Sequence, residues 1–358
     1  MKRILITLYF LILLCPFDVI SQDDPTNIKL SEYRPVSIYN TPKTEIKKAM
    51  YPIIDMHTHV YARTQEQLDE WVKIMDEVGI QKSIVLSGAY GTRFDSLSKV
   101  YSRYPDRFDL WCGFDYTGYD KPGFGPAAVK ELERCVKMGA KGVGELGDKG
   151  KGLFYCRPSA IGMHSDDPRM DPLFKKCAEL DLPVNIHVGD PKWMYEKMDA
   201  TNDGLMNAYK WRLDNKPDIV SLEGMVNILE NTVKRHPNTT FVACHLANCT
   251  YNLDGIGVLL ENYSNLYIDI SARFSELSPI PRKAHAFFVK HSDKIVYGTD
   301  QGFQPSMYRI TFRVLESADE HFYDWTYSSY HWAMYGMELP EEVLEKVYLL
   351  NAGKILGQ

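Results

Sequence analysis

The chain has 358 residues, of which 45% are hydrophobic, 25% charged and 12% aromatic, with a formal net charge of −6. That composition excludes collagen-like, low-complexity and disordered chains and supplies enough apolar side chain for a large core. Its 41 Lys and Arg residues are scattered among 47 Asp and Glu rather than striped, which argues against a nucleic-acid binder.

Residues 1–21 read as a secretory signal: Lys2 and Arg3 precede an apolar run from Ile4 to Leu14, and Val19-Ile20-Ser21 offers a cleavage site. The run is too short to anchor the chain across a bilayer, and no later stretch approaches about 18 apolar residues. The protein is therefore expected to be exported, periplasmic or secreted, without stable membrane insertion. A lipoprotein anchor at Cys15 is the weaker alternative, because Leu14 before it is not small. Export permits disulfides. Yet Cys112, Cys135, Cys156, Cys177, Cys244 and Cys249 are too few for a disulfide scaffold and contain no CxxC pair, so they are expected as small buried hydrophobes.

Residues 22–50 are polar and Pro-dotted, an extended N-terminal arm, and 51–358 form the main domain. Within it, short apolar runs alternate with amphipathic stretches. Strands are expected at 53–57, 83–86, 108–112, 142–146, 184–187, 240–245, 266–270 and 294–297. Helices fill the gaps, for example 65–78 and 127–138, the latter with Val129, Leu132 and Val136 at helical spacing. Such alternation implies a parallel sheet covered on both faces, and eight units in one run predict a (β/α)₈ TIM barrel. Most strand ends follow one another at about the 30-residue spacing of a βα unit. Extra chain at 147–171, 188–217 and 301–339 comes directly after strands, so the insertions lie at the C-terminal face, where barrels keep their chemistry. A doubly wound open sheet is the alternative, but no Gly-rich phosphate loop follows the first strand.

The candidate chemistry sits at strand ends. In Asp55-Met56-His57-Thr58-His59 the two histidines share one face of a strand, and two neighbouring imidazoles suit a divalent metal. His187, His245 and Asp300 end the fifth, sixth and eighth strands, and Glu145, flanked by Gly144 and Gly147, ends the fourth. Six metal-competent side chains thus fall at five strand ends, and they include four of the ten histidines. His164, His236, His285, His291, His321 and His331 fall in helices or loops and are given structural roles. Arg273, just past the seventh strand, could grip a substrate carboxylate with two parallel hydrogen bonds, or equally brace a loop. Lys192, Trp193 and Tyr195 open the insertion after His187, so Lys192 and Trp193 are expected to overhang the pocket and bind substrate.

HxH on the first strand, His on the fifth and sixth and Asp on the eighth resemble the amidohydrolase superfamily of metal-dependent hydrolases. More narrowly, the chain resembles the amidohydrolase-related branch that contains lactonases and aromatic-acid decarboxylases. Supporting segments are Tyr104-Pro105-Asp106-Arg107-Phe108, Pro183-Val184-Asn185-Ile186-His187, Arg235-His236-Pro237-Asn238-Thr239-Thr240-Phe241 and Asn351-Ala352-Gly353-Lys354-Ile355-Leu356-Gly357. One feature departs from the branch. Mononuclear decarboxylases generally lack the fourth-strand acid, whereas Gly142-Val143-Gly144-Glu145-Leu146-Gly147 is similar to TatD-type hydrolases, in which that Glu bridges two metals.

The resemblance implies one or two divalent ions, Zn²⁺ first among them. His57, His59, Asp300 and Glu145 would hold one, and Glu145, His187 and His245 a second. With a single ion the ligands would be His57, His59, His187 and Asp300, freeing His245 to orient or protonate substrate. The activity it implies is hydrolysis of a small carbonyl compound, a sugar lactone or ester, by a metal-activated water whose proton Asp300 takes and returns. Two alternatives stand beside it: metal-dependent decarboxylation of a carboxylic acid, and a non-catalytic metal- or glycan-binding barrel. The expected partner is a small-molecule substrate, with a homo-oligomer left open.

Overall fold

Local signals start and stop the elements. Thr64 accepts a hydrogen bond from the backbone of Gln67, whose side chain answers in kind, and this reciprocal cap begins the helix Gln65–Val78. Gly79 ends it in the left-handed conformation at φ 91°. The helix expected at 127–138 runs instead over Phe124–Lys137. Pro126 belongs to its first turn, where a missing N–H costs nothing, so the Pro that reads as a boundary lies inside the helix.

The computed structural model describes residues 25–153 and 158–358. The expected signal segment, with Cys15, and also Cys156 lie outside the described residues. Residues 25–34 belong to a separate unit and hold two short exposed turns, Pro25–Asn27 and Leu30–Glu32. The second unit runs from Pro35 to Gln358. In it the stretch before the first strand is tied down: Thr44 bonds Asp319 through both its N–H (2.7 Å) and its hydroxyl (2.6 Å).

Eight parallel strands follow one another around this unit: β1 Ile53–Thr58, β2 Ile80–Ala89, β3 Phe108–Cys112, β4 Val143–Asp148, β5 Val184–Val188, β6 Phe241–Ala243, β7 Leu266–Asp269 and β8 Ile295–Val296. Each pairs with the next. Backbone bonds from Met56 N–H to Tyr297 O and from Asp300 N–H to His57 O, both 2.9 Å, bring the last strand back to the first. The molecule is a (β/α)₈ barrel, nearly closed. Helices pack outside on an apolar layer that includes Val143, Val184, Ile186 and Phe241. The interior floor is a second layer of Ile54, Met56, Ile84, Leu86, Trp111, Val242, Tyr267 and Val296, plugged by Ala352 of the C-terminal helix Asn351–Ile355. Gly142 makes room for this floor, since a Cβ there would lie 2.4 Å from the Trp111 ring.

The insertions contain a small antiparallel pair, Gly152–Leu153 with Ala160–Ile161, and a helix Leu205–Trp211 over its own apolar cluster of Met194, Ala208 and Leu213. Cys112, Cys135, Cys177, Cys244 and Cys249 are buried and unbridged. Among the described residues no helix is long and apolar enough to cross a membrane.

Candidate metal centre

One extra residue in β1 between Asp55 and Thr58 shifts its register against β2. A bulge of this kind re-aims the side chains beyond it. Ile54 and Met56 fill the floor, while His57 and His59, at and beyond the end of the same strand, both reach Asp300. His59 Nε2 lies 2.8 Å from Asp300 Oδ1, and His57 Nε2 lies 3.7 Å from the same oxygen. Gly298 permits this approach, because a Cβ there would sit 2.8 Å from His57 Cβ.

The donors sort into two overlapping groups whose ligand atoms lie within 4.8 Å of one another: His57, His59 and Asp300, and His57, Glu145, Cys244 and His245. Glu145 links the second group to the first, with Oε1 3.8 Å from His245 Nε2 and Oε2 3.7 Å from His59 Nε2. His245 Nε2 is also 3.8 Å from Asp300 Oδ2. His187 stands outside both groups: its Nδ1 meets Glu145 Oε1 at 2.5 Å and its Nε2 meets Gly189 O at 2.9 Å. Of the six expected donors, five belong to the clusters, and His187 reaches them through Glu145.

The ring nitrogens indicate which lone pairs are available. His57 Nδ1 lies 2.9 Å from Asp269 Oδ2, so it carries the proton, and Nε2 is buried with no hydrogen-bond partner. His59 Nδ1 faces Leu86 O at 3.1 Å and His245 Nδ1 faces Ser271 O at 2.9 Å. A carbonyl accepts and cannot donate, so Nδ1 of each ring carries a proton and Nε2 is the atom turned toward the cluster, where that of His59 meets Asp300 Oδ1 at 2.8 Å. A buried imidazole lone pair without a partner is costly unless something positive meets it. Together with the carboxylates of Asp300 and Glu145, these residues fit a divalent ion.

The acids and imidazoles of the site shift one another's proton affinities. Burial pulls the His57 imidazole down, but Asp269 and Asp300 outweigh it and hold its pKa up to about 10. Burial also pulls His187 down, and Glu145 reverses this, to about 9. Glu145 itself, despite its burial, is held well below the usual carboxylate range by His187, His57 and His59. His245 goes the other way: burial, with Arg273, His187 and His57 beside it, holds its imidazole well below the ordinary histidine value.

Several essential groups were not singled out from sequence. Asp269, fully buried on β7, takes His57 Nδ1 on one oxygen and the backbone N–H of His245 (2.8 Å) on the other. Asp55 accepts from Thr299 N–H and hydroxyl at 3.1 and 2.7 Å, latching the first strand to the residues after the last. Asp269 and Ser271 sit at alternate positions at the only one of the last four strand ends given no metal donor. That gap was the available signal.

The expected substrate residues are each engaged by neighbouring groups. Arg273 gives Nη1 to Ala272 O (2.9 Å) and Nη2 to Asn248 Oδ1 (2.5 Å), bracing the loop after β6, while its buried Nε makes no hydrogen bond and lies 3.6 Å from Glu276 Oε1. Lys192 is drawn away to Glu223 at 2.8 Å and Glu196 at 3.4 Å. Trp193 bonds Asp203 through its indole N–H and packs against Tyr330 and Trp332, whose rings stack at 4.1 Å. Tyr195 caps the Asp190 N–H at 3.3 Å.

A parallel-stranded barrel with imidazoles and acids gathered at its C-terminal rim defines a class of metal-dependent barrel enzymes. The amidohydrolase family model matches residues 54–358, and the chain belongs to the amidohydrolase family. No curated protein matches it. Among solved structures it is similar to 2,6-dihydroxybenzoate decarboxylase from Rhizobium, with 16% identity and a TM-score of 0.54, covering 86% of this chain and 99% of that one. It is similar to 5-carboxyvanillate decarboxylase from Novosphingobium aromaticivorans, solved with manganese, at 17% identity and a TM-score of 0.52, covering 88% of this chain and 99% of that one. A dihydroxybenzoic acid decarboxylase from Polaromonas sp. JS666, also with bound manganese, matches at 16% identity and a TM-score of 0.53, covering 86% and 97% of the two chains.

At these identities the likeness establishes the shared barrel. It nevertheless overturns the expectation of hydrolysis, because these named neighbours are decarboxylases. The reason is chemical. His and carboxylate donors at strand ends serve both reactions, so the donor pattern never distinguished them, and only family analogy favoured hydrolysis.

Proposed function

We propose that this chain is an exported, metal-dependent decarboxylase of a small carboxylic acid. His57, His59 and Asp300 would hold one divalent ion, with His245 Nε2 turned to the same space. Imidazoles suit Zn²⁺ and carboxylates suit Mn²⁺, so the mixed set accepts either. When bound, the ion would anchor and neutralise the substrate carboxylate side.

The observation that carries the reading is the Glu145–His187 pair. His187 has both ring nitrogens against oxygen acceptors and lies outside the donor groups, which makes it a holder of a proton rather than a presenter of a lone pair. Decarboxylation breaks the carbon–carboxylate bond, leaves the electron pair on carbon and needs one proton delivered there. The proton at His187 Nδ1, shared with Glu145 Oε1, is placed to be that proton. Glu145 is occupied by this contact, so the reading needs no second ion and no bridging role for it. Asp269, Ser271 and Leu86 O orient the other three imidazoles.

The test is carbon dioxide release from a panel of hydroxylated aromatic carboxylates, using whole protein loaded with Mn²⁺ or Zn²⁺. The reading expects stoichiometric CO₂ and one solvent deuteron on the product carbon in D₂O. Turnover of esters or lactones with no CO₂ from any acid would overturn it.

A further inference from the structure

Ser271 lies between two histidines that come from different strands. Its Oγ is 3.0 Å from His57 Nδ1, 2.8 Å from His245 Nδ1 and 2.5 Å from Asp269 Oδ1. A hydroxyl has one proton to give and two lone pairs to offer. A carboxylate at 2.5 Å can only accept, so the proton goes to Asp269, and both lone pairs remain for the two Nδ1–H groups, each shared with a second acceptor: Asp269 Oδ2 (2.9 Å) for His57 and Ser271 O (2.9 Å) for His245. Every valence of the hydroxyl is used, in a place with no exposure to water. Asp269 is filled in the same way: Oδ1 takes the Ser271 N–H (3.1 Å), the His245 N–H and the Ser271 hydroxyl, while Oδ2 takes His57.

We propose that Asp269 and Ser271 act as one lock, a pair of positioning residues that commits His57 and His245 together to the Nδ1–H form, so that both Nε2 atoms face the metal space. This rests on the metal-holding reading above and deepens it. Losing the Ser271 side chain removes the hydroxyl that ties the two Nδ1–H groups to each other and leaves each with one acceptor, Asp269 Oδ2 for His57 and the Ser271 carbonyl for His245. Losing the Asp269 charge removes the acceptor that orients that hydroxyl, so the second loss adds little after the first. Fully satisfied buried networks behave as units in this way.

Two measurements test the lock. Co²⁺ affinity of the full chain, read from the visible d–d band, is compared for wild type, Ser271→Ala, Asp269→Asn and the double variant. Each single change is expected to weaken binding about 10- to 100-fold, and the double change no more than the weaker-binding single variant. Unchanged affinity in both single variants, or losses that multiply in the double, would overturn the lock. The second measurement needs no variant: histidine ring ¹⁵N spectra of wild type with and without Zn²⁺. A proton on Nδ1 of both His57 and His245 in both samples is expected, and a bare Nδ1 on either would overturn the proposal. Because the sample without Zn²⁺ reads the ring directly, a protein that releases no CO₂ would defeat the functional reading and leave this one standing or falling separately.

Discussion

The floor and the mouth of this barrel are built by the same eight strands, within a few residues of each other, and have opposite chemistry. The floor closes on the buried apolar side chains of Ile54, Met56, Leu86, Trp111 and Val242. The mouth gathers His57, His59, Glu145, His245 and Asp300, braced from below by Asp55 and Asp269. Along β1 the change falls at the register shift between Asp55 and Thr58. The barrel thus separates the task of stability, carried by close-packed apolar side chains, from the task of binding an ion, carried by polar groups whose geometry is fixed from behind. If that separation is real, changes at one level leave the other largely intact.

The strongest challenge is Asp300→Asn. It removes the charge shared by His57 and His59, and activity is expected to fall roughly 10³-fold, about 4 kcal/mol of transition-state stabilisation, with ion affinity falling alongside. Thermal melting should stay cooperative, because the floor is untouched. The converse is Trp111→Ala, expected to destabilise by about 3–5 kcal/mol through the cavity it leaves. Titration of its folded fraction should give nearly wild-type ion affinity, and a mouth that lost its ion with the floor would contradict the separation.

His187→Gln sharpens the comparison within the mouth. A proton holder, unlike a ligand, can be lost without losing the ion. Turnover should drop about 10²-fold while metal stoichiometry is preserved, measured by elemental analysis on the purified variant. Loss of the ion would instead make His187 a ligand. The smallest effect concerns a pair away from the cluster, His164 Nδ1 on Asp148 Oδ2 at 2.6 Å. That hydrogen bond raises the His164 pKa. Its contribution to stability is therefore complete below the unfolded histidine value near 6.5 and is lost as pH rises through the higher folded value. His164→Gln should flatten the decline of melting temperature above about pH 6.5 and leave ion affinity unchanged.

Much of this arrangement was legible along the chain. All eight barrel strands fall on the apolar runs that name them, and the Thr64 cap and Gly79 stop give the helix Gln65–Val78 its observed limits. The donors were legible because each short run ends abruptly in a residue that no buried strand would choose for packing alone. What escaped was whatever depends on partners distant in sequence. Asp269 looks like an ordinary strand-end acid until His57 and His245 are folded onto it. The sequence left Arg273 open between clamp and loop brace and read Lys192 as overhanging the pocket, because Asn248 and Glu223, which bond them, lie 25 and 31 residues away. The turn from His245 to Asn248 holds four consecutive non-glycine residues at φ between 51° and 59°. Local preference announces such a turn only weakly, since left-handed backbone is disfavoured for Leu246 and Ala247 at its centre. It is held by Asp269 on the His245 N–H and by Asn248, whose amide donates to Val188 O at 3.0 Å.

The division of labour among the four histidines is the centre of this account, and one measurement addresses it most directly. Crystals of the Mn²⁺-loaded protein, recorded at the manganese absorption edge, should give a single anomalous peak bounded by His57 Nε2, His59 Nε2 and Asp300, with His187 still on Glu145. A peak bonded to His187 Nδ1, or one remote from Asp300, would contradict it.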